Sequence, residues 1–303
     1  MRKRHITVIG GVNMDISANL TAPFVHADSI PGHVDMGCGG VARNIAHNLC
    51  LLGHKVMFTS LFGDDAFGTM CHRQCEQIGM DLALSECRQG ARNGLYLCVN
   101  DLTGDMVVAV ADTGIIDNLD PFFLEARLEH INAGDAVVAD TNLPTASLQF
   151  LFEHCRVPIF VDTVSTAKAA KVVEAMRQAT APRLHTLKLN SMEAFAITPC
   201  GTVGEAAAWL HKLGVEHVFI TLGAGGVLAS SRDVREELPA PPVTVVNTTG
   251  AGDAFLAGVV HAFAGGASFL QAAHTGLAAA RATLQSPRAV NEEIAQALSG
   301  FSF

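Results

Sequence analysis

The chain has 303 residues, of which 49% are hydrophobic and 16% are charged, so it can bury a large core and extensive disorder is excluded. Its formal net charge of −9 argues against general affinity for nucleic acids or anionic membranes, and we expect neither as a partner.

A cytoplasmic location is predicted, because no stretch fits a signal sequence and the cysteines do not fit a disulfide framework. The basic residues 2–4 precede an apolar stretch, 5–10, that is too short for a signal sequence. The most apolar later stretch, 254–264, contains His261 and is expected to form a buried helix. The eight cysteines are scattered and do not resemble a disulfide framework. Cys71, His72 and Cys75 have a metal-like spacing, but no second ligand pair follows, so buried thiols are expected.

Short β-branched runs alternate with amphipathic helical stretches along the chain. Strands are predicted at residues 5–10, 55–62, 135–139, 158–162, 184–188, 217–222 and 226–230. Helices are predicted near residues 252–265, 268–284 and 290–298. This alternation is typical of an α/β fold in which parallel strands are joined by crossover helices. Without a long linker or an internal repeat, residues 1–303 are predicted to form a single domain.

Two segments break the alternation, approximately residues 14–36 and 91–111. The first is rich in Pro, Asp and His. The second contains two apolar runs, 95–99 and 106–110, joined by Asn100-Asp-Leu-Thr-Gly-Asp105. A polar, glycine-containing connection between two such runs predicts a β-hairpin.

The segment Asn247-Thr-Thr-Gly-Ala-Gly-Asp253 precedes an apolar helical pattern. A glycine-rich turn that opens a helix presents unpaired backbone N–H groups at the positive end of the helix dipole, where a transferred phosphoryl group finds donors. Gly250, Ala251 and Gly252 are small enough to let an anion reach the backbone, and Asp253 would stand beside it as a base. The alternative is that these small residues serve helix packing alone.

A second glycine pair, Gly39-Gly40, precedes a helical pattern that contains Asn44 and is followed by Gly53 and Gly63. The two segments resemble, in order and spacing, the two signatures of the ribokinase-like (PfkB) carbohydrate and nucleoside kinases. The resemblance implies a ribokinase-like three-layer sandwich with a mostly parallel central sheet. It also implies that the two segments outside the alternation form a small β lid over the substrate, through which the chain would form a homodimer.

The resemblance implies ATP and magnesium as cofactors and assigns residues to the phosphate-donor side. Those expected to bind the nucleotide are Lys188, Asn190, Thr221, Gly223 and Gly226. Glu193 would hold magnesium, largely through water. Carbonyls of residues 247–249 and the segment Ser286 to Asn291 would hold a monovalent cation such as potassium, with Asn247, Thr249 and Ser286 as the candidate ligands. From the residues alone, Asn190 to Glu193 also fits a helix capping box, and Thr221 to Gly226 a hairpin turn.

On the acceptor side, a carboxylate can accept from two vicinal hydroxyls while an amide both donates and accepts, so Asp15 with Asn13 and Asn44 suits a ribose. Gly39 and Gly40 would complete this part of the site. The base would be read by Ser29, Asp112 and Lys168, although Lys168 fits a solvated surface lysine equally well.

Further stretches resemble the branch of the family that phosphorylates pseudouridine: 27–32, 40–46, 138–140, 160–165 and 185–188. The expected reaction is ATP-dependent phosphorylation of a ribonucleoside 5′-hydroxyl, with pseudouridine as the best substrate. Leu189, where a proline is usual, Thr163 and Ala224 depart from that pattern and weaken the substrate assignment.

Several alternatives stay open. A ribokinase, a fructokinase or an adenosine/inosine kinase would share both signatures. A nucleoside- or sugar-sensing binding protein would be expected to lose Asp253 or the glycines before it, and both are present. A dinucleotide-dependent oxidoreductase would explain the early glycines, but Gly10-Gly11 lacks the required spacing.

Overall fold

A computed structural model describes residues 5–301, so the basic residues 2–4 lie outside the described range. The strands of the described chain are β1 Ile6–Ile9, β2 Asn13–Leu20, β3 Gly32–Gly39, β4 Val56–Thr59, β5 Leu61–Gly63, β6 Glu86–Arg88, β7 Gly94–Asn100, β8 Met106–Asp112, β9 Ala136–Asp140, β10 Ile159–Asp162, β11 Leu184–Asn190, β12 Val215–Thr221, β13 Val227–Ser230 and β14 Arg235–Leu238. The helices are α1 Val41–Leu51, α2 Ala66–Ile78, α3 Pro121–Glu125, α4 Leu128–Asn132, α5 Thr145–His154, α6 Thr166–Gln178, α7 Ser191–Ile197, α8 Val203–Leu213, α9 Ala251–Ala264, α10 Phe269–Leu284 and α11 Ile294–Ala297.

The centre of the molecule is an eight-stranded sheet in the order β14-β13-β12-β11-β10-β9-β1-β4. The six strands from β12 to β4 in this order run parallel, whereas β13 and β14 form an antiparallel edge. Helices cover both faces: α5, α6, α7 and α8 pack on one side and α1, α2, α9 and α10 on the other. The predicted three-layer α/β fold with a mostly parallel sheet is therefore confirmed.

The prediction for residues 55–62 needs a correction, because two strands form there. β4 belongs to the large sheet, while β5 pairs with β6 in a separate two-stranded sheet. The hydroxyl of Ser85 donates to Phe58 O at 2.7 Å and accepts from Ser60 N at 3.0 Å. A side chain thus takes the place of a strand partner where the chain leaves the large sheet.

The helix predicted over residues 290–298 is shorter than expected and spans only Ile294–Ala297. Asn291 explains the late start, because its side chain donates to Ala282 O and accepts from Glu293 N. Such side-chain bonds to nearby backbone compete with helix formation. Helix α9, in contrast, forms as predicted, and no helix within residues 5–301 has the length and hydropathy to cross a membrane.

A four-stranded sheet in the order β3-β2-β7-β8 stands apart from the central sheet, and we refer to it as the lid sheet. The predicted hairpin of residues 95–110 is present as β7 and β8, and residues 14–36 lie in the second hairpin, β2 and β3. Residues that pair across the four strands form rows, and successive rows point to opposite faces of the sheet. One row consists of Gly37, Asp15, Tyr96 and Ala111, and the next consists of Met36, Ile16, Leu97 and Val110. One face is therefore polar and the other apolar.

Candidate active site

The two glycine-rich signatures meet in space. Asn44 lies in the first turn of α1 and Asp253 in the first turn of α9, 209 residues later, yet Asn44 Nδ2 donates to Asp253 Oδ2 at 2.9 Å. Both side chains are buried. The contact joins the helix that follows the lid sheet to the helix predicted to bind the phosphoryl group.

No side chain caps the start of α9. Its N-cap residue is Gly250, which has a left-handed backbone with φ +80°, and a Cβ at this position would overlap Ala289 O. Any larger residue would therefore disturb the turn. An uncapped helix start in a site leaves backbone N–H groups free to bind an anion.

A buried ion pair lies against the same turn. Lys188 Nζ contacts Asp162 Oδ2 at 2.9 Å. A Cβ on Gly252 would lie 2.5 Å from Lys188 Nζ, so glycine at this position leaves room for the ammonium group beside the backbone of α9. Burial alone would lower the pKa of Lys188, but Asp162, Asp253 and Glu193 raise it overall. The lysine is therefore a fixed positive charge beside an uncapped helix start, a combination suited to phosphoryl oxygens.

The surroundings of Asp253 give its carboxyl group the character of a base near neutral pH. Burial and the negative charges of Asp162 and Asp140 raise the pKa of Asp253 to about 7, against the opposing effects of Asn44 and Lys188. A group with a pKa near 7 can both accept and release a proton at physiological pH.

The capping box predicted at Asn190 and Glu193 is present at the start of α7. Asn190 Oδ1 accepts from Glu193 N at 2.9 Å, and Glu193 Oε2 accepts from Asn190 N at 2.8 Å and from Thr163 Oγ1 at 2.7 Å. These bonds occupy Glu193 Oε2 and hold the carboxylate in place. A buried carboxylate fixed in this way near Lys188 fits a role that reaches magnesium through a water molecule.

Thr221 and the glycines after it form a hairpin turn, the alternative that the residues alone left open. Thr221 pairs with Val227 across the antiparallel β12 and β13, and with Asn190 on the parallel β11. Gly226 has φ +100°, and a Cβ there would overlap Leu238 O. Because this turn lies beside Asn190, hairpin geometry and nucleotide binding are compatible at this place.

The residues predicted to hold the sugar lie at the base of the lid sheet. Asn13 pairs in register with Gly39, and its Nδ2 donates to Asp15 Oδ1. A Cβ on Gly39 would overlap the Asp15 carboxylate, and one on Gly40 would lie 3.0 Å from Asn13 Oδ1. Burial raises the pKa of Asp15 to about 6, although Arg43 and Asn13 lower it. The two glycines thus allow two polar side chains to lie against the start of α1.

The three residues expected to read the base are not brought together by any of the contacts described here. Ser29 lies in the exposed connection between β2 and β3. Asp112 ends β8 and pairs with Leu95, one register position away from the row of Asp15. Lys168 is half-buried and its Nζ donates to Asn142 Oδ1 at 2.5 Å, so it is not the freely solvated lysine that was the alternative. Their roles stay predictions.

The segments expected to hold a monovalent cation lie side by side. Val246 N donates to Leu284 O at 2.8 Å, and Asn247 Nδ2 donates to Pro287 O at 3.0 Å. Thr249 N donates to Asn247 Oδ1, and Ser286 Oγ accepts from Arg288 N. The predicted cation ligands are therefore neighbours in space.

Four residues that the sequence analysis did not assign belong to this region. Asp140 caps α1 from another strand, because its Oδ2 accepts from Ala42 N at 3.0 Å. Asp162 and Asp140 end consecutive buried strands, a signal that the sequence already contained because ligands often bind at the carboxyl ends of parallel strands. Tyr96 pairs in register with Asp15 on the neighbouring strand. Arg43 is a buried arginine near Asp15.

One group of three potential metal ligands occurs in the part of the chain that the structure describes, and it lies elsewhere. His185, Glu216 and His217 belong to the amino-terminal ends of β11 and β12, whereas Lys188 and Thr221 lie toward the carboxyl ends. The cysteines are all free, and Cys71 and Cys75 are buried as expected, while His72 contacts Glu76 at 3.4 Å.

Comparison with known proteins identifies the family of the chain. The model of the pfkB family of carbohydrate kinases matches residues 3–295. The chain is 34% identical over 276 residues to a pseudouridine kinase of Escherichia coli, which covers 89% of this chain and 87% of that one. It is 28% identical over 280 residues to a ribokinase of Bacillus subtilis, with 87% of each covered. The structure of an Arabidopsis thaliana ribokinase complexed with ribose and ATP matches with a TM-score of 0.85 at 21% identity, over 99% of each chain.

The fold and these matches define a kinase, a phosphotransferase with an alcohol group as acceptor. The chain belongs to the pfkB family of carbohydrate kinases. The predicted family and the ribokinase-like fold are therefore confirmed.

Proposed function

We propose that the chain transfers the γ-phosphoryl group of ATP to the 5′-hydroxyl of a ribonucleoside, with pseudouridine as its best substrate. The observation that carries the reaction is the contact between Asn44 and Asp253 at the uncapped start of α9. It supports Asp253 as the base, because this carboxyl group of raised pKa lies at the same helix start as the backbone donors and near a buried lysine. A sensor without catalytic activity would have no need of this combination.

In this mechanism Asp253 orients the acceptor hydroxyl and takes its proton as the phosphoryl group arrives. Phosphoryl transfer passes through a loose transition state, so alignment and late proton acceptance suffice and an unusually strong base is not needed. The backbone N–H groups of Gly252 and Asp253 and the ammonium of Lys188 stabilise the charge that develops on the phosphoryl oxygens.

Magnesium and a monovalent cation belong to the proposal as well. Magnesium, when bound with the nucleotide, would neutralise negative charge on its phosphate groups. Glu193 supports this role because its buried carboxylate is fixed by the capping box and by Thr163. For potassium, the support is the adjacency of Asn247 to the segment that contains Ser286 and Pro287.

A cavity of about 420 Å³ next to the Gly226 turn supports ATP as the phosphate donor. It is lined mainly by apolar groups, among them Pro239, Leu277 and Ala278. Gly226 itself packs against Leu238 O, one residue before this cavity. A flat, largely apolar nucleobase suits such a lining.

The choice of pseudouridine rests on the acceptor side. Asn13 and Asp15 provide an amide and a carboxylate for vicinal sugar hydroxyls, which ribose and ribonucleosides share. The match to the pseudouridine kinase, at 34% identity, favours a nucleoside over free ribose. A C-linked uracil also keeps an N1–H that an N-linked base lacks, and a buried partner for that group would reject uridine.

The scattered free cysteines support a reducing cytoplasm as the place of action.

The test is a coupled assay of ATP consumption with pseudouridine, uridine, ribose, fructose and adenosine, for the parent chain and for Asp253→Asn. Pseudouridine should give the highest kcat/KM by a factor of about 10² or more, since unpaired buried groups penalise the other bases. Asp253→Asn should lower kcat by about 10²-fold while the nucleoside still binds.

Asp233→Asn is the matched control, because Asp233 lies in the exposed turn before β14. It should leave kcat unchanged. If ribose or adenosine is preferred by a similar factor, the pseudouridine assignment is wrong and the kinase assignment stands. Parent-like turnover in a folded Asp253→Asn protein would contradict the proposed base.

A further inference from the structure

Two cysteines join the lid sheet to the body of the molecule. Cys38 is the second-to-last residue of β3 in the lid sheet, and Cys71 lies in the middle of α2. Their sulfur atoms are 3.2 Å apart, although the residues are separated by 33 positions in sequence. A disulfide bond requires about 2.05 Å, so the sulfurs need to approach by roughly 1 Å.

The two thiols differ in access. Cys71 is fully buried, whereas Cys38 is half-buried and lines a surface groove of about 320 Å³. Met36 and Met70, both largely exposed, form other parts of this groove. A small oxidant from solvent therefore reaches Cys38 first.

The two thiols also differ in acidity. The hydrogen bond with Cys71 and the nearby charge of Arg43 lower the pKa of Cys38, against the opposing effects of burial and Asp15. The same hydrogen bond, together with burial, raises the pKa of Cys71. Cys38 is thus the member of the pair that carries the thiolate, and Cys71 is positioned as its partner thiol.

We propose that Cys38 and Cys71 form an oxidation site at which a peroxide creates a disulfide bond between strand β3 of the lid sheet and helix α2 of the body. In the first step the Cys38 thiolate attacks one oxygen of hydrogen peroxide. The O–O bond breaks, Cys38 becomes a sulfenic acid, and the other oxygen leaves as hydroxide and becomes water.

In the second step the sulfur of Cys71 attacks the sulfur of the Cys38 sulfenic acid. The S–O bond breaks, its oxygen leaves as water after taking the proton of the Cys71 thiol, and the disulfide forms. In total, two thiols are oxidised by two electrons and one peroxide is reduced to two water molecules. A dithiol reductant reverses the change by thiol–disulfide exchange.

The bond would act close to the substrate site. Gly39 follows Cys38 directly and lies so close to the Asp15 carboxylate that a Cβ would overlap it. A covalent link at Cys38 therefore holds β3 against α2 next to the proposed sugar ligands and restricts opening of the lid sheet. This consequence for turnover rests on the proposed function, whereas formation of the disulfide does not.

Two other cysteines serve as a comparison for the reactivity of Cys38 and Cys71. Cys75 lies one helical turn after Cys71 and is also buried, and Cys87 is exposed on β6. Burial raises the pKa of Cys75 to about 12, so it is a poor nucleophile despite its position. If exposure alone decided reactivity, Cys87 would oxidise first.

The first experiment maps the bond in the intact chain. The reduced protein is treated with a small excess of hydrogen peroxide, free thiols are alkylated, and tryptic peptides are analysed by mass spectrometry without reduction. Trypsin separates Cys38, in peptide 5–43, from Cys71, in peptide 56–73, and cleavage after Arg73 separates Cys71 from Cys75. We expect peptide 5–43 linked to peptide 56–73. A predominant link through Cys75 or Cys87, or no link within the chain, would overturn the proposal.

The second experiment measures how far the disulfide restrains the lid sheet. Amide hydrogen exchange of β2 and β3 should slow in the oxidised protein and return to its former rate after reduction with dithiothreitol. Cys38→Ser should abolish the peroxide effect, while Cys75→Ser, in the same helix, should keep it. Unchanged exchange in protein that contains the mapped disulfide would show that the bond does not restrain the lid sheet.

Turnover is measured on the same samples. Oxidation should lower kcat about tenfold, because a restrained lid slows substrate entry and product release, and dithiothreitol should restore it. A reduced protein inactive with every acceptor would contradict the proposed function and leave the mapped disulfide intact. An oxidised protein with unchanged kcat would overturn the link between this disulfide and catalysis.

Discussion

At the scale of single residues, the properties of Asp253 come from its neighbours rather than from its position at the start of a helix. A helix N-terminus stabilises a carboxylate and would lower its pKa. Burial and the nearby Asp162 nevertheless raise the pKa to about 7, although Asn44 donates directly to the group. Burial and the neighbouring carboxylates together therefore outweigh the favourable contacts, and Asp253 can exchange a proton near neutral pH.

This balance predicts the dependence of activity on pH. Asp253 accepts a proton only when it is ionised, so kcat/KM should rise as pH increases through about 7 and level off above it. Asp15, with a pKa of about 6, would bind sugar hydroxyls best as a carboxylate and would add a second rise at lower pH. The measurement is kcat/KM between pH 5 and 9, which reports the free enzyme.

The Asp15→Asn variant distinguishes the titration of Asp15 from that of Asp253. It should remove the lower step and leave the step near pH 7 in place. A parent profile that is flat from pH 5 to 9 would contradict a titrating base at Asp253.

At the scale of the elements, the starts of the helices differ in how their backbone N–H groups are capped. Helices α7, α8 and α10 each begin with a complete capping box, whereas α9 begins with a glycine and no side-chain cap. Helices α1, α5 and α6 also begin without a hydrogen bond from the side chain of their own N-cap residue. A capped start satisfies its own N–H groups, while an uncapped one leaves them for a ligand. What singles out α9 among the uncapped helices is the ammonium group of Lys188 beside its first turn, and this combination suits a phosphoryl group. The box at α7 is a fixed support for Glu193.

Glu193→Gln tests the magnesium role without removing the cap. Glutamine also serves at this position of a capping box, so the helix start should be kept while the negative charge is lost. We expect the magnesium concentration for half-maximal rate to rise by about three- to tenfold, because the charge orders the water shell of the ion. The measurement is the initial rate against magnesium at saturating ATP and nucleoside.

The matched control is Glu205→Gln, which changes the equivalent residue of the capping box at α8. Its magnesium curve should superimpose on that of the parent. A Glu193→Gln curve that also superimposes would exclude a role in metal binding.

The lid sheet gives a second prediction at this scale. Asp15 and Asn13 lie on its strand β2, and a ligand bound to them would connect this sheet to α1 and α9. Amide exchange in β2, β3, β7 and β8 should therefore slow when the nucleoside binds. Strand β9 of the central sheet serves as the internal reference. Equal exchange in the lid strands with and without saturating nucleoside would rule out a closing lid.

At the scale of the whole molecule, the two faces of the lid sheet have different surroundings. The polar row of Asp15 lies toward the candidate site. On the other face, Val34, Val108 and Val110 are between 48% and 64% exposed. A contiguous apolar patch of this kind on a sheet is typical of a surface that another protein covers. We propose that a second copy covers it, in keeping with the predicted homodimer.

A charged substitution on that face should dissociate the dimer. Val110→Asp would place an unpaired charge in an interface, and such a charge costs several kcal/mol when it is buried. Sedimentation velocity at micromolar concentration should show a dimer for the parent and a monomer for Val110→Asp. Val234→Asp, at an exposed valine in the turn before β14, is the control and should remain dimeric. A monomeric parent would disprove the homodimer.

The sequence by itself determined the α/β architecture and the family, and it supplied the candidate site residues. Strand and helix periods depend on residues close in the chain, so most strands and helix α9 were predicted correctly. The division of residues 55–62 was not predictable, because Ser85, more than twenty residues later, interrupts the strand there. The family resemblance assigned Asp253 and Asn44 to the candidate site, but as separate elements with separate roles.

Only the tertiary structure decided how these residues act on one another. The partner of Asp253 is 209 residues away in sequence, and Lys188 pairs with Asp162 from the adjacent strand. The raised pKa of Asp253 depends on burial by elements from the whole chain. The contact between Cys38 and Cys71 likewise exists only because β3 folds against α2. The pattern of residues close in the chain does not show which distant groups are buried next to one another. The strength of their electrostatic interactions depends on that burial and proximity.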